Sequence, residues 1–100
     1  MTTVPIAKEF LGLVRAGKKT STIRRGIRTW AIGPVILTSG DEQVVVKVTR
    51  VSHKMFGSLT EEDARRDGFD SLCDLGSALK RFYPTINSEI PVTILSFKVI

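Results

Sequence analysis

The stretch IPVTILSFKVI, residues 90–100, alternates and is mostly apolar, with Val92, Ile94, Leu95, Phe97 and Val99 set among Thr93, Ser96 and Lys98. That is the pattern of a strand buried in a core. Its place decides the fold. It follows two helical segments at the end of the sequence, so it returns to strands that lie much earlier in the chain. A small sheet of non-sequential strands, closed by such a return, predicts an α+β fold whose sheet is curled or barrel-like.

Working outward, SLCDLGSALKRFYP (residues 71–84) predicts the second of the two helices. Leu72, Leu75, Leu79 and Phe82 form an apolar stripe that reads as core, and Tyr83-Pro84 ends it. TEED (Thr60–Asp63) and SLCD (Ser71–Asp74) each place a hydroxyl three residues before an acid, the spacing of a capping box with Asp in place of Glu. Further upstream, GPVILTS and EQVVVKVTRV read as two strands. Val44, Val46 and Val48 fall on one face of the second, and Gly40-Asp41 supplies the hairpin turn between them. KKTSTIR has the β-branched content of another strand. Before it, Pro5 suits a first helical turn, Ile6, Phe10, Leu13 and Val14 share a helical face, and Gly17 stands where a C-terminal capping glycine belongs. The predicted order is helix, strands, two helices, strand, without internal repeat or linker, as one domain over residues 1–100.

The composition, 42% apolar and 25% charged in 100 residues, is that of a globular chain. The apolar runs fall far short of the roughly 20 residues a membrane span needs, and the first residues, MTTVPIAKEF, have no secretory pattern, which points to the cytoplasm and no membrane partner. A single cysteine, Cys73, excludes an internal disulfide. With one histidine, His53, which reads as a surface residue, the chain offers little for a metal site, and neither metal nor cofactor is expected. Neither a Walker-type phosphate loop nor a dinucleotide-binding glycine motif is present, which argues against nucleotide hydrolysis.

Charge is more informative once it is located. Between Phe10 and Gly40 there is no acid, while Arg15, Lys18, Lys19, Arg24, Arg25 and Arg28 are all basic; the remainder is nearly balanced, so this segment supplies the net charge of +5. Such a cluster attracts polyanions and favours phosphate contacts. Arg24, Arg25 and Arg28 offer planar forks to phosphate, Lys18 and Lys19 offer point charges, and Trp30 offers a stacking plane. Phe56, Phe69, Tyr83 and Phe97 read as packing residues, with Tyr83 at a helix end able to face a cleft. Gly26 and Gly68 read as turn glycines.

GKKTSTIR after a short helix, FGSLTEEDARRDGF, SLCDLGSALKRFYP and the closing PVTILSFKVI, in that order, resemble the ASCH domain, the activating-signal-cointegrator homology domain, over nearly the full chain. The resemblance implies a PUA-like fold, a small β-barrel flanked by helices, with a cleft that receives RNA or a nucleoside. It implies RNA binding for most members and, for small bacterial members, an amidohydrolase that deacetylates acetylcytidine; ribonuclease activity is also associated with the family. In the amidohydrolase branch a Lys, a Thr and a carboxylate act in the cleft. Through K-T-x-T-I-R and L-T-x-E-D-A they match Lys19, Thr22 and Asp67, the last standing where the branch has Glu. Thr22 would attack, Lys19 would take its proton and Asp67 would position the substrate or relay a proton. Residues three apart in a regular strand face opposite ways, so Lys19 and Thr22 can share a cleft only if the chain turns near Thr20. RNA binding and catalysis remain alternatives at this point.

Overall fold

The computed structural model describes residues 2–100. Five strands form one sheet in the order β1-β3-β4-β5-β2, with β1 at Thr2–Pro5, β2 at Ser21–Arg25, β3 at Gly33–Ser39, β4 at Glu42–Met55 and β5 at Pro91–Val99. Helix α1 (Lys8–Arg15) lies between β1 and β2, while α2 (Glu61–Arg66) and α3 (Leu72–Phe82) lie between β4 and β5. The sheet leaves β1 and β2 as its edges, so the barrel is half closed.

The closing strand is central, as its composition demands. β5 pairs antiparallel with both β4 and β2, and Val92, Thr93, Ile94, Leu95 and Phe97 are all buried. It serves two cores. Phe97 joins Leu11 and Val14 of α1 with Val35, Leu37, Val44, Val46 and Val48, whereas Val92 and Ile94 join Ile23 and the α2/α3 side chains Ala64, Leu75 and Leu79. Over Val92–Leu95 the strand is covered on both faces, so water rewards no polar alternation there.

β4 runs further than its valine pattern suggests because of a bulge. Val48 pairs with Phe97 and Arg50 with Ser96, so Thr49 is an extra residue. The insertion shifts the inward set from Val44, Val46 and Val48 to Val51, which packs on the same core three residues later. The hairpin loop between β3 and β4 is Gly40-Asp41, as expected, with Ser39 paired to Glu42.

One local expectation is corrected. Pro5 does not open a helix: it ends β1, which pairs in parallel with β3 through Thr2↔Val35 to Pro5↔Thr38. Proline is compatible with an edge strand because its missing N–H can face away from the ladder. α1 starts at Lys8 without a side-chain cap. At its other end Gly17 has φ +76°, and its N–H and that of Lys18 bond the carbonyls of Val14 and Leu13. This is the glycine-terminated helix end read from the sequence. Thr60 and Asp63 form the full reciprocal capping box on α2, and Ser71 Oγ accepts from the Asp74 N–H on α3. The α3 stripe is core only in part, since Leu75 and Leu79 are buried but Phe82 is exposed.

Two glycine substitutions test these assignments. Gly12 sits on an open face of α1, where an added Cβ meets nothing within 4 Å, so Gly12→Ala stabilises by about 0.5–1 kcal/mol. Gly68 has φ +91°, and its added Cβ would lie 3.2 Å from Leu13 and 3.3 Å from Lys19, so Gly68→Ala destabilises by about 1–3 kcal/mol. Urea unfolding of both variants gives opposite signs if this account is correct.

Candidate functional site

A cleft of about 420 Å³ opens between the β1–α1 junction, β2 and the helices α2 and α3. Lys19, Thr22, Arg24 and Asp67 line it with Pro5, Ile6, Phe10, Phe69, Leu79, Phe82 and Tyr83. Most of that wall is apolar or aromatic, so the few polar groups act in surroundings where each counts for more.

The helix end at Gly17 brings the polar groups together. Lys19 lies outside β2, and its N–H bonds Leu13 O at 3.1 Å; Thr20 N–H reaches Arg66 O at 2.7 Å on α2 while Thr20 O accepts from the Phe97 N–H of β5 at 2.9 Å, and the paired register with β5 runs from Ser21. The chain turns at Ala16–Lys18, not at Thr20; Lys19 precedes the strand, so strand alternation does not bind it, and it lines the cleft with Thr22. The turn buries the Lys19 side chain at the C-terminal end of α2, where Nζ donates to Asp67 O at 2.9 Å and to Asp67 Oδ1 at 2.6 Å. An ammonium at a helix C-terminus is favourably placed. Lys19 Nζ also lies 5.0 Å from the centroid of the Phe10 ring, which meets Phe69 edge to face. The shorter Asp67 thus reaches Lys19 directly, with Lys19, Thr22 and Asp67 only 3%, 3% and 4% exposed.

Burial dominates the protonation of this pair. It lowers the Lys19 pKa, the Asp67 carboxylate partly opposing that and the Arg24 guanidinium adding to it. It raises Asp67 to about 6, against the pull of Lys19, Arg24 and the Ser21 hydroxyl. Ser21 Oγ is itself buried and has no hydrogen-bond partner of normal geometry among the described residues. Both shifts oppose charge, so burial favours the proton-transferred, neutral form of the pair relative to the same two groups in water, and the two groups titrate as one unit.

The other residues singled out by charge are placed differently. Arg24 Nη2 donates to Pro5 O at 2.6 Å across the cleft. Arg25 Nη1 donates to Thr85 Oγ1 at 2.7 Å, and Arg28 Nε donates to Arg25 O at 3.2 Å. The Arg28 backbone is held as well, its N–H bonding the buried Thr93 hydroxyl, which in turn donates to Gly26 O. Lys18 is exposed. Trp30 packs partly against the α1 core and lines a separate hollow with Thr29, Ile32 and Pro34, away from Lys19. Phe10 and Phe82 enter the cleft as residues that sequence reading assigned to helical faces, and Phe69, read as packing, lines it too. Their only signal is adjacency to the motifs, with Phe69 two residues beyond Asp67.

The family model of the ASCH domain matches residues 2–100, and the chain belongs to that family. The ASCH domain of Lactobacillus crispatus JV V101 aligns with a TM-score of 0.82 at 17% identity, covering 98% of this chain and 79% of that one. The hypothetical protein PH0355 aligns at 0.78 and 20% identity, covering 98% and 97%. A mutant form of the ZmASCH protein of Zymomonas mobilis aligns at 0.71 and 15% identity, covering 96% and 67%. At these identities the likeness is one of fold, and it establishes the α+β, PUA-like half-barrel. No curated protein sequence matches the chain. Among the described residues no helix is long and apolar enough to cross a membrane, and no group of His, Cys, Asp or Glu is arranged to hold a metal ion.

The Lys19–Asp67 pair makes a stability prediction. Lys19→Met leaves a buried carboxyl without its partner and costs about 3–5 kcal/mol, whereas Lys19→Met with Asp67→Leu recovers most of that loss. In the single variant the folded-state pKa of Asp67 stays above its unfolded value. The stability that protonation confers is complete below the unfolded value of 3.8 and is lost as pH rises from there through the folded pKa, which is about 6 even with Lys19 present. Chemical unfolding at pH 5 and pH 8 therefore finds the larger penalty at pH 8.

Proposed function

We propose that this ASCH domain binds RNA or a modified nucleoside in the cleft beside residues 17–25. One base sits between the aromatic and aliphatic walls, and phosphates meet the basic side chains around the mouth. The supporting observation is the composition of the cleft, in which a small set of buried polar groups converges at one end of an otherwise apolar pocket. The volume lies within the range of small-molecule sites, and a flat heterocycle is the ligand that such walls suit. Arg24, at the edge of the cleft, gives the bound group a positive neighbour.

A second reading, hydrolysis of acetylcytidine, is favoured by the presence of Lys19, Thr22 and Asp67 in that same cleft. Thr22 Oγ1 would attack the acetyl carbonyl carbon while Lys19 Nζ takes the hydroxyl proton. Lys19 can accept it only when neutral, and it becomes neutral by passing a proton to Asp67, a transfer that burial of both groups favours. Collapse of the tetrahedral intermediate breaks the C–N bond, and the leaving amino group of cytidine recovers the proton from Lys19. Water activated by the same pair then cleaves the acetyl ester on Thr22, releasing acetate. Arg24 supplies positive charge for the oxyanion.

The two readings separate in one experiment. Chromatography of the protein with acetylcytidine yields cytidine if the site is catalytic, and Thr22→Ala or Lys19→Ala reduces turnover by at least 100-fold. Below about pH 6 the pair carries a further proton, leaving Lys19 charged and Asp67 neutral, so kcat/KM falls on the acid side with an apparent pKa near 6. Asp67→Asn lowers turnover and replaces that limb with one set by deprotonation of Lys19 alone. If cytidine is not released but acetylcytidine or RNA binds, with Thr22→Ala weakening the complex, the domain is a binding module. If neither ligand binds, the cleft assignment is wrong.

A further inference from the structure

The register divides the sheet into two faces. One carries Val35, Leu37, Val44, Val46, Val48 and Phe97 against α1. The other is covered by α2 and α3 only where Ile23, Val92 and Ile94 lie. Beyond Ser96 this second face is open. There Lys47 of β4 stands directly opposite Lys98 of β5, and Arg50 stands opposite Ser96 one step further. All three basic residues are exposed.

This arrangement is unfavourable for the isolated protein, because like charges opposed across a ladder repel. No compensation is visible. Among the described residues the ion pairs are Lys19–Asp67, Lys54–Asp63 and Arg66–Glu62, and no side-chain hydrogen bond engages Lys47, Arg50 or Lys98. Following the register through β1, β3, β4, β5 and β2, none of the strand residues on this face is acidic. The bulge adds to the concentration of charge: the extra residue at Thr49 turns Arg50 onto the same face as Lys47, where an unbroken alternation would send it into the core. These cations lie outside the acid-free segment of residues 10–40, and in the linear sequence they are balanced by acids that the fold places elsewhere.

We propose that this open face is a second phosphate track, on which Lys47, Arg50 and Lys98 hold the sugar–phosphate backbone of a single-stranded RNA outside the cleft. The proposal rests on the RNA reading given above and extends it to a surface that the cleft does not include. Charge complementarity selects a polyanion. RNA is favoured over an anionic membrane because the open half has no exposed aromatic side chain, and its exposed large apolar residues are only Val45 and Ile100 at one end of the face. The absence of stacking residues also means that this surface contacts backbone without reading sequence.

The test uses a fluorescein-labelled oligouridine, titrated by anisotropy at several salt concentrations with the intact chain and with Lys47→Gln/Arg50→Gln/Lys98→Gln. Loss of three phosphate contacts weakens binding at least tenfold at low salt and reduces the slope of log K against log salt by about 2. Binding of cytidine or acetylcytidine to the cleft stays the same, which separates this surface from the cleft. Lys47→Glu provides a folding control, since it places opposite charges across the ladder and raises the melting temperature at low salt while weakening oligouridine binding. An unchanged affinity and slope in the triple variant would overturn the proposal even if Thr22→Ala showed the cleft to be functional. So would a variant that loses affinity for phosphatidylserine vesicles but keeps its affinity for RNA, or a wild-type chain that binds nucleoside but no oligouridine.

Discussion

The contact between Lys19 Nζ and Asp67 joins two parts of the chain 48 residues apart, and the geometry of the cleft depends on it. Lys19 follows the glycine-terminated end of α1, and Asp67 closes α2, so one buried pair ties the first helix, the second helix and the start of β2 together. Neither charge is tolerable there alone. Desolvating an ion costs several kcal/mol, and the attraction between partners offsets that only when the geometry is close and other hydrogen bonds are satisfied. The second bond from Nζ to the Asp67 carbonyl helps meet that condition, and Gly68 leaves room for the lysine stem.

The same cost gives the pair its chemical character. Solvent would hold Lys19 protonated and Asp67 ionised across the neutral range; burial narrows that separation from both sides. A binding site gains a polar end that can donate or accept according to what enters. A catalytic site gains a base that need not be free of its proton beforehand. Thr22, Ile23 and Arg24 all line this region, because β2 is an edge of the sheet and the cleft opens beside it.

A half-barrel of this size uses both faces of its sheet, and the bulge at Thr49 allocates them. Before it, β4 turns valines toward α1; after it, the inward position passes to Val51 and the basic residue at 50 turns outward. β5 carries the other half of the division, with Phe97 in one core and Ile94 in the other. The cleft wall built by α2 and α3 and the open basic face are therefore consequences of one register, at two ends of the same face of β5.

Much of this is legible in the residues themselves. The buried closing strand, the Gly40-Asp41 hairpin, the capped starts of α2 and α3 and the glycine ending α1 all follow from local chemistry, because each depends on neighbours within a few positions. The family motifs also brought Lys19, Thr22 and Asp67 into one proposed site, whereas the turn expected near Thr20 lies earlier, at Ala16–Lys18, with Lys19 ahead of the strand. By contrast, four residues ending in Pro5 carry too little pattern to mark an edge strand, and an inserted residue at Thr49 leaves no trace in composition. Nor could sequence separate Arg24, which lines the cleft, from Arg25, Arg28 and Trp30, which do not. The sequence by itself determined the elements and the chemical kinds of side chain available. Only the tertiary structure decided which of them meet in the absence of water, because burial and register are properties of contacts between distant segments, and those set both the shifted protonation of Lys19 and Asp67 and the opposition of Lys47 to Lys98.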